Sequence, residues 1–139
     1  MRSRTFFSGI GLSALSLALF SFPLFASDWP HWLGPEGNNT TPDAEFEPDL
    51  NKWQVSWKTE IGRGYSSVTV DGDFAFTMGH DGKANETIYC FDVNTGDVKW
   101  EYSYSAQLLS AMHPGGPNAS PTILSDKVIT VSKDGQIWL

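Results

Sequence analysis

The sequence holds a single cysteine, Cys90, in 139 residues, so no intrachain disulfide can form. Cations are few: 9 Lys and Arg stand against 16 Asp and Glu, for a formal charge of −7. Such an acidic chain lacks the basic footprint of a nucleic-acid binder, and anionic membranes are disfavoured as partners for the same reason. Histidine is scarce, and His31, His80 and His113 lie too far apart for the short spacings of a zinc site, so they are expected as solvated loop residues. The acidic pairs Glu45/Glu47 and Asp71/Asp73 supply too few oxygens in register for a calcium loop. There is no Gly-x-Ser-x-Gly nucleophile turn and no phosphate-binding glycine loop.

Long apolar runs are also missing after the first 25 residues. The one that exists, residues 6–25, follows Arg2 and Arg4 and ends at Ala26-Ser27-Asp28, with Pro23 breaking the helix just before. That is the layout of a secretory signal peptide, expected to span residues 1–26 and to be cleaved after Ala26. Its removal takes the charge to about −9 and leaves no membrane span. No cysteine follows the run, so a lipid anchor is not expected. Residues 27–53 are rich in Pro, Gly, Asn and Asp without periodicity, and read as an extended lead-in lying over the domain surface, pinned by Trp29 and Trp32.

Residues 54–139 carry the pattern of short strands. Their organising stretch is residues 87–100, TIYCFDVNTGDVKW. Gly96 can adopt the positive φ of a tight turn, and Asp92 and Thr95 offer side-chain oxygens to the turn amides. Beyond the turn, Val98, Trp100, Tyr102 and Tyr104 alternate with polar residues, the period of a strand with one buried face. Cys90, inside an apolar strand, is expected to be a buried, inert thiol. Residues 66–82 laid over residues 119–135 without a gap match Ser67 to Ser120, Thr69 to Thr122, Asp73 to Asp126, Thr77 to Thr130, Asp81 to Asp134 and Gly82 to Gly135. Repeats several tens of residues long, made of short strands, indicate propeller blades. Strands are predicted at 54–60, 65–70, 74–78, 88–91, 98–104, 120–124, 127–131 and 136–139, with a polar loop at 79–86.

The run Cys90-Phe91-Asp92-x-x-Thr95-Gly96-x-x-x-Trp100 resembles the tryptophan-docking repeat of the pyrroloquinoline-quinone (PQQ)-like β-propellers, and Trp29-Pro30-x-Trp32-x-Gly34-Pro35 is similar to the opening of secreted bacterial members. Leu33 stands where that opening usually has arginine. The resemblance implies an all-β propeller of four-stranded antiparallel blades, of which residues 54–139 would form about two. The chain therefore reads as the N-terminal fragment of a protein with roughly 7–8 blades. In that architecture Asp92, Thr95, Gly96 and Trp100 are structural, with Trp100 packed between blades.

The connection at residues 105–118, longer than that at 62–64, is the candidate mouth loop, with Met112, His113 and Asn118 as candidate binding residues. Two functions fit the resemblance. One is an exported, non-catalytic scaffold that binds protein or polymer partners, on the pattern of the BamB side of the group. The alternative is a quinoprotein dehydrogenase, in which PQQ stacks on a tryptophan in the central funnel while calcium and an aspartate base support oxidation of an alcohol or sugar. Those enzymes commonly stack a vicinal disulfide on the quinone, and the single cysteine here favours the scaffold.

Overall fold

The computed structural model describes residues 28–41, 47–109 and 114–139. The expected signal peptide lies outside the described residues, as do Met112 and His113. Among the described residues, seven strands form two antiparallel sheets: β1 (Thr69–Asp71), β2 (Phe74–His80), β3 (Asn85–Asp92) and β4 (Val98–Ser105) in the first, and β5 (Thr122–Leu124), β6 (Lys127–Val131) and β7 (Ile137–Trp138) in the second. Each sheet keeps sequence order, β1-β2-β3-β4 and β5-β6-β7, so every connection inside it is a hairpin. That is one four-stranded propeller blade and the beginning of the next.

The strand register explains the core. Phe76, Cys90 and Trp100 face one another in a row across β2, β3 and β4, as do Met78, Ile88 and Tyr102, and then His80, Glu86 and Tyr104. These rows make one face of the first sheet. Trp138 of the second sheet packs against it, 4.9 Å from the Tyr104 ring and 5.3 Å from that of Tyr102. Met78 and Ile88 are buried there, each contributing about 1.5–3 kcal/mol by leaving water. The opposite face carries Tyr89 and Phe91, stacked at 5.6 Å, and Trp57 lies 5.9 Å from Phe91.

Several expectations change. Residues 54–60 form no strand among the described residues; they run extended and are held by the Trp57 side chain. The innermost strand begins at Thr69 rather than at residue 65. β2 and β3 each extend further into the expected 79–86 loop, which shrinks to residues 81–84. His80 is consequently not a solvated loop residue: it is fully buried in β2. Within the lead-in, Trp29 exchanges backbone bonds with β1 and the Pro30 carbonyl accepts from β5, while Asp28 is exposed.

The turn between β3 and β4 is built as its residues dictate. Asp92 Oδ1 accepts from the Asn94 and Thr95 amides at 2.9 and 3.1 Å, and Thr95 Oγ1 accepts from the Asp97 amide at 3.2 Å. Gly96 has φ +76°. The register shifts between Cys90 and Phe91, leaving Lys99 between the paired positions of Val98 and Trp100, and Lys99 Nζ reaches Asp92 Oδ2 at 2.9 Å.

Candidate functional site

Two ends of the first sheet differ in chemistry. The turn of Asp92, Thr95 and Gly96 sits at one end and is occupied by structure. Trp57 donates its indole N–H to the Val93 carbonyl at 2.7 Å, and its ring covers Gly96, 2.6 Å from where a Cβ would be. The tryptophan docked on this turn is thus Trp57, from the segment preceding β1. Trp100, expected to be buried between blades, is 43% exposed; it touches Phe76 at 5.9 Å and lines an apolar cleft of about 350 Å³ with Ile88, Tyr102, Val128, Trp138 and Leu139.

The other end gathers the connections. The segment at Arg63 pairs with the end of β2, Arg63 N–H to His80 O at 2.9 Å and His80 N–H to Arg63 O at 2.8 Å. Tyr65 N–H donates to the Pro117 carbonyl at 2.8 Å, bringing the return from the candidate mouth loop alongside. Ala106 N–H donates to Ala84 O at 2.8 Å, closing the β4 exit onto the β2–β3 loop. Asn118, the one candidate mouth residue that the structure describes, is exposed directly after Pro117. Arg63 is exposed beside the Gly82 turn, and its guanidinium pairs with no carboxylate among the described residues.

His80, Asp81 and Glu86 at this end are tied into the fold by hydrogen bonds. Gly82 N–H donates to His80 Nδ1 at 2.9 Å, so that nitrogen is an acceptor, and Nε2 carries the hydrogen that bonds the Ala106 carbonyl at 2.9 Å. Nδ1 also lies 3.5 Å from Asp81 Oδ1. Asp81 Oδ1 accepts from the amides of Lys83, Ala84 and Asn85 at 2.7, 2.9 and 3.1 Å, and Oδ2 from the Asn85 side chain at 3.0 Å. These bonds, the Lys83 amide first, hold its carboxyl well below the usual range. Glu86 is fully buried, accepting at Oε2 from the Tyr104 hydroxyl at 2.6 Å, while Oε1 has no partner. Burial, then the Glu86 bond, pushes the Tyr104 phenol upward. Burial likewise raises the Cys90 thiol, as befits an inert cysteine.

Sequence reasoning missed Glu86 and Tyr104 as a pair, and Arg63 altogether. Glu86 is in phase with Ile88 and Cys90, a period-two signal that extending the strand by two residues would have exposed. No three or more His, Cys, Asp or Glu side chains come together to hold a metal ion among the described residues.

One four-stranded antiparallel blade and three strands of the next, in sequence order and with a tryptophan docked on an Asp-x-x-Thr-Gly turn, are the pattern of a PQQ-like β-propeller. A family model described as outer membrane protein assembly factor BamB matches residues 49–139. The chain belongs to that family. No curated protein and no solved structure matches it.

Proposed function

We propose that the protein is an exported, non-catalytic propeller scaffold that binds a protein or polymer partner through the loop end of its blades. The observation that carries this reading is the commitment of His80, Asp81 and Glu86 to internal hydrogen bonds, which leaves Arg63 and Asn118 facing outward. An acid–base catalyst needs a group free to exchange a proton with substrate. A binding surface needs outward donors on a rigid frame, and loops held by a sheet supply it. The family description, an outer membrane assembly factor, agrees with an exported protein that works by contact. No described helix is long and apolar enough to cross a membrane.

The test is site-specific photocrosslinking in cells that export the protein, with the probe at position 118 or at position 99 on the outer strand. Discrete adducts from 118, weakened by Arg63→Glu, support the reading. Adducts from 99 alone would refute it.

A further inference from the structure

In a propeller, the free edge of a blade's first strand faces the central axis. In this chain that edge is taken by the chain itself. Trp29 and Val70 of β1 exchange backbone bonds of 2.9 Å in both directions. One residue earlier, Asp28 Oδ1 accepts from Gly72 N–H at the β1–β2 turn at 2.8 Å. One residue later, the Pro30 carbonyl accepts from Ile123 N–H of β5 at 2.8 Å. Three consecutive residues therefore engage the inner strands of both sheets.

Residues 31–39 then fold back on themselves in tight turns. Gly34 N–H bonds His31 O, Gly37 N–H bonds Gly34 O and Asn39 N–H bonds Leu33 O, at 2.8–3.0 Å. The Trp29 ring lies over Gly34, 2.7 Å from where a Cβ would stand, and Gly34 has φ +73°. A side chain there would be strained and would push the indole away, which accounts physically for the pairing of Trp29 with Gly34, while Trp32 is 64% exposed.

We infer that residues 28–39 are a built-in strap that ties the axis-side edges of β1 and β5 together and closes them to any outside ligand. The bonds join segments remote in sequence, so the strap links the first blade to the second from the inside, where their own strands do not pair. It also caps two open edges that would otherwise be available for pairing with another chain. The inference stands on these bonds and does not depend on the scaffold reading.

Amide hydrogen exchange on the whole exported protein tests it. The amides of Val70, Gly72 and Ile123 should exchange at least about 100-fold more slowly than in an unfolded chain. Gly34→Val and Trp29→Ala should each accelerate these three amides at least about tenfold, while Thr77 and Tyr89, a hydrogen-bonded pair of the β2–β3 ladder, keep their rates. Adding PQQ with calcium should leave all five unchanged. Coil-like exchange of the three amides in the wild type, or their release by PQQ, would overturn the strap. Alcohol oxidation by a PQQ-loaded protein whose strap stays protected would instead refute the scaffold reading alone.

Discussion

The indole of Trp57 is docked on Gly96, its N–H bonded to the carbonyl of Val93 at 2.7 Å and its ring set where a side chain on Gly96 would have to go. One residue thus meets two demands, since Gly96 must hold φ +76° and must present a bare Cα to the ring. Gly96→Ala should destabilise the protein by at least about 1–2 kcal/mol from the left-handed backbone alone, with the displaced indole adding to it. Trp57→Phe keeps most of the ring contact and loses the hydrogen bond, costing about 1 kcal/mol. Chemical denaturation of the two variants checks the order, and a neutral Gly96→Ala would contradict it.

The exposed face of Trp100 sets a different expectation from full burial. Its ring keeps Phe76 on one side and the cleft on the other. Trp100→Ala should cost less than Trp57→Ala under the same denaturation, because Trp57 loses its ring contacts, its hydrogen bond and its seat on Gly96 together.

Tyr104 is the only hydrogen-bond donor to Glu86 among the described residues, and Glu86 Oε1 already lacks a partner. Tyr104→Phe should therefore destabilise by about 2–4 kcal/mol, more than the loss of one hydroxyl at the surface. The double change Tyr104→Phe with Glu86→Leu should recover part of that loss, since it removes the buried polar group as well. A double variant no more stable than Tyr104→Phe would count against the pair acting as a unit.

The turn chemistry around Asp92 was legible because it is local: carboxylate, hydroxyl and glycine fall within five residues. The match of Thr77 to Thr130 was legible from the repeat, and both threonines are buried at equivalent places; the β4 alternation located the strand but not its burial, since Val98, Trp100 and Tyr102 are exposed and only Tyr104 of that face is buried. Trp57 on Gly96 was not, because nothing near position 57 announces which turn receives its indole. The cluster of His80, Glu86 and Tyr104 was hidden by polarity, since polar residues at the ends of an apolar pattern read as loop until the pairing of β2 with β3 is known. The strap was hidden by aperiodicity, its order arising from backbone bonds to distant strands.

Glu47, Asp81 and Asp92 are the described carboxylates held low, and the last two sit in the turns of the first sheet. Lys99 and the Asn94 and Thr95 amides depress Asp92, and the loop amides depress Asp81. In the unfolded chain both take up protons near about pH 4, while folded they resist, so the stability they contribute is complete above that value and is lost as pH falls through their folded values. The melting temperature should fall as pH drops from about 4 towards 2, and Asp81→Asn with Asp92→Asn should lower it at neutral pH and flatten the acid slope. An unchanged slope in the double variant would contradict the assignment.

The tautomer of His80 is fixed by its neighbours, with Nδ1 accepting and Nε2 donating. Long-range nitrogen–proton correlation spectra should show the proton on Nε2, facing the Ala106 carbonyl, with Nδ1 accepting from the Gly82 amide. A spectrum protonated at Nδ1 would mean that the loop at Gly82 is built differently.

The most direct measurement is to supply the whole protein with PQQ and calcium and to follow dye-linked oxidation of alcohols and sugars. A scaffold predicts no turnover above buffer, in the wild type and in Arg63→Glu alike, while position-118 adducts persist in the wild type. Sustained PQQ-dependent turnover would contradict the account and make the protein an enzyme.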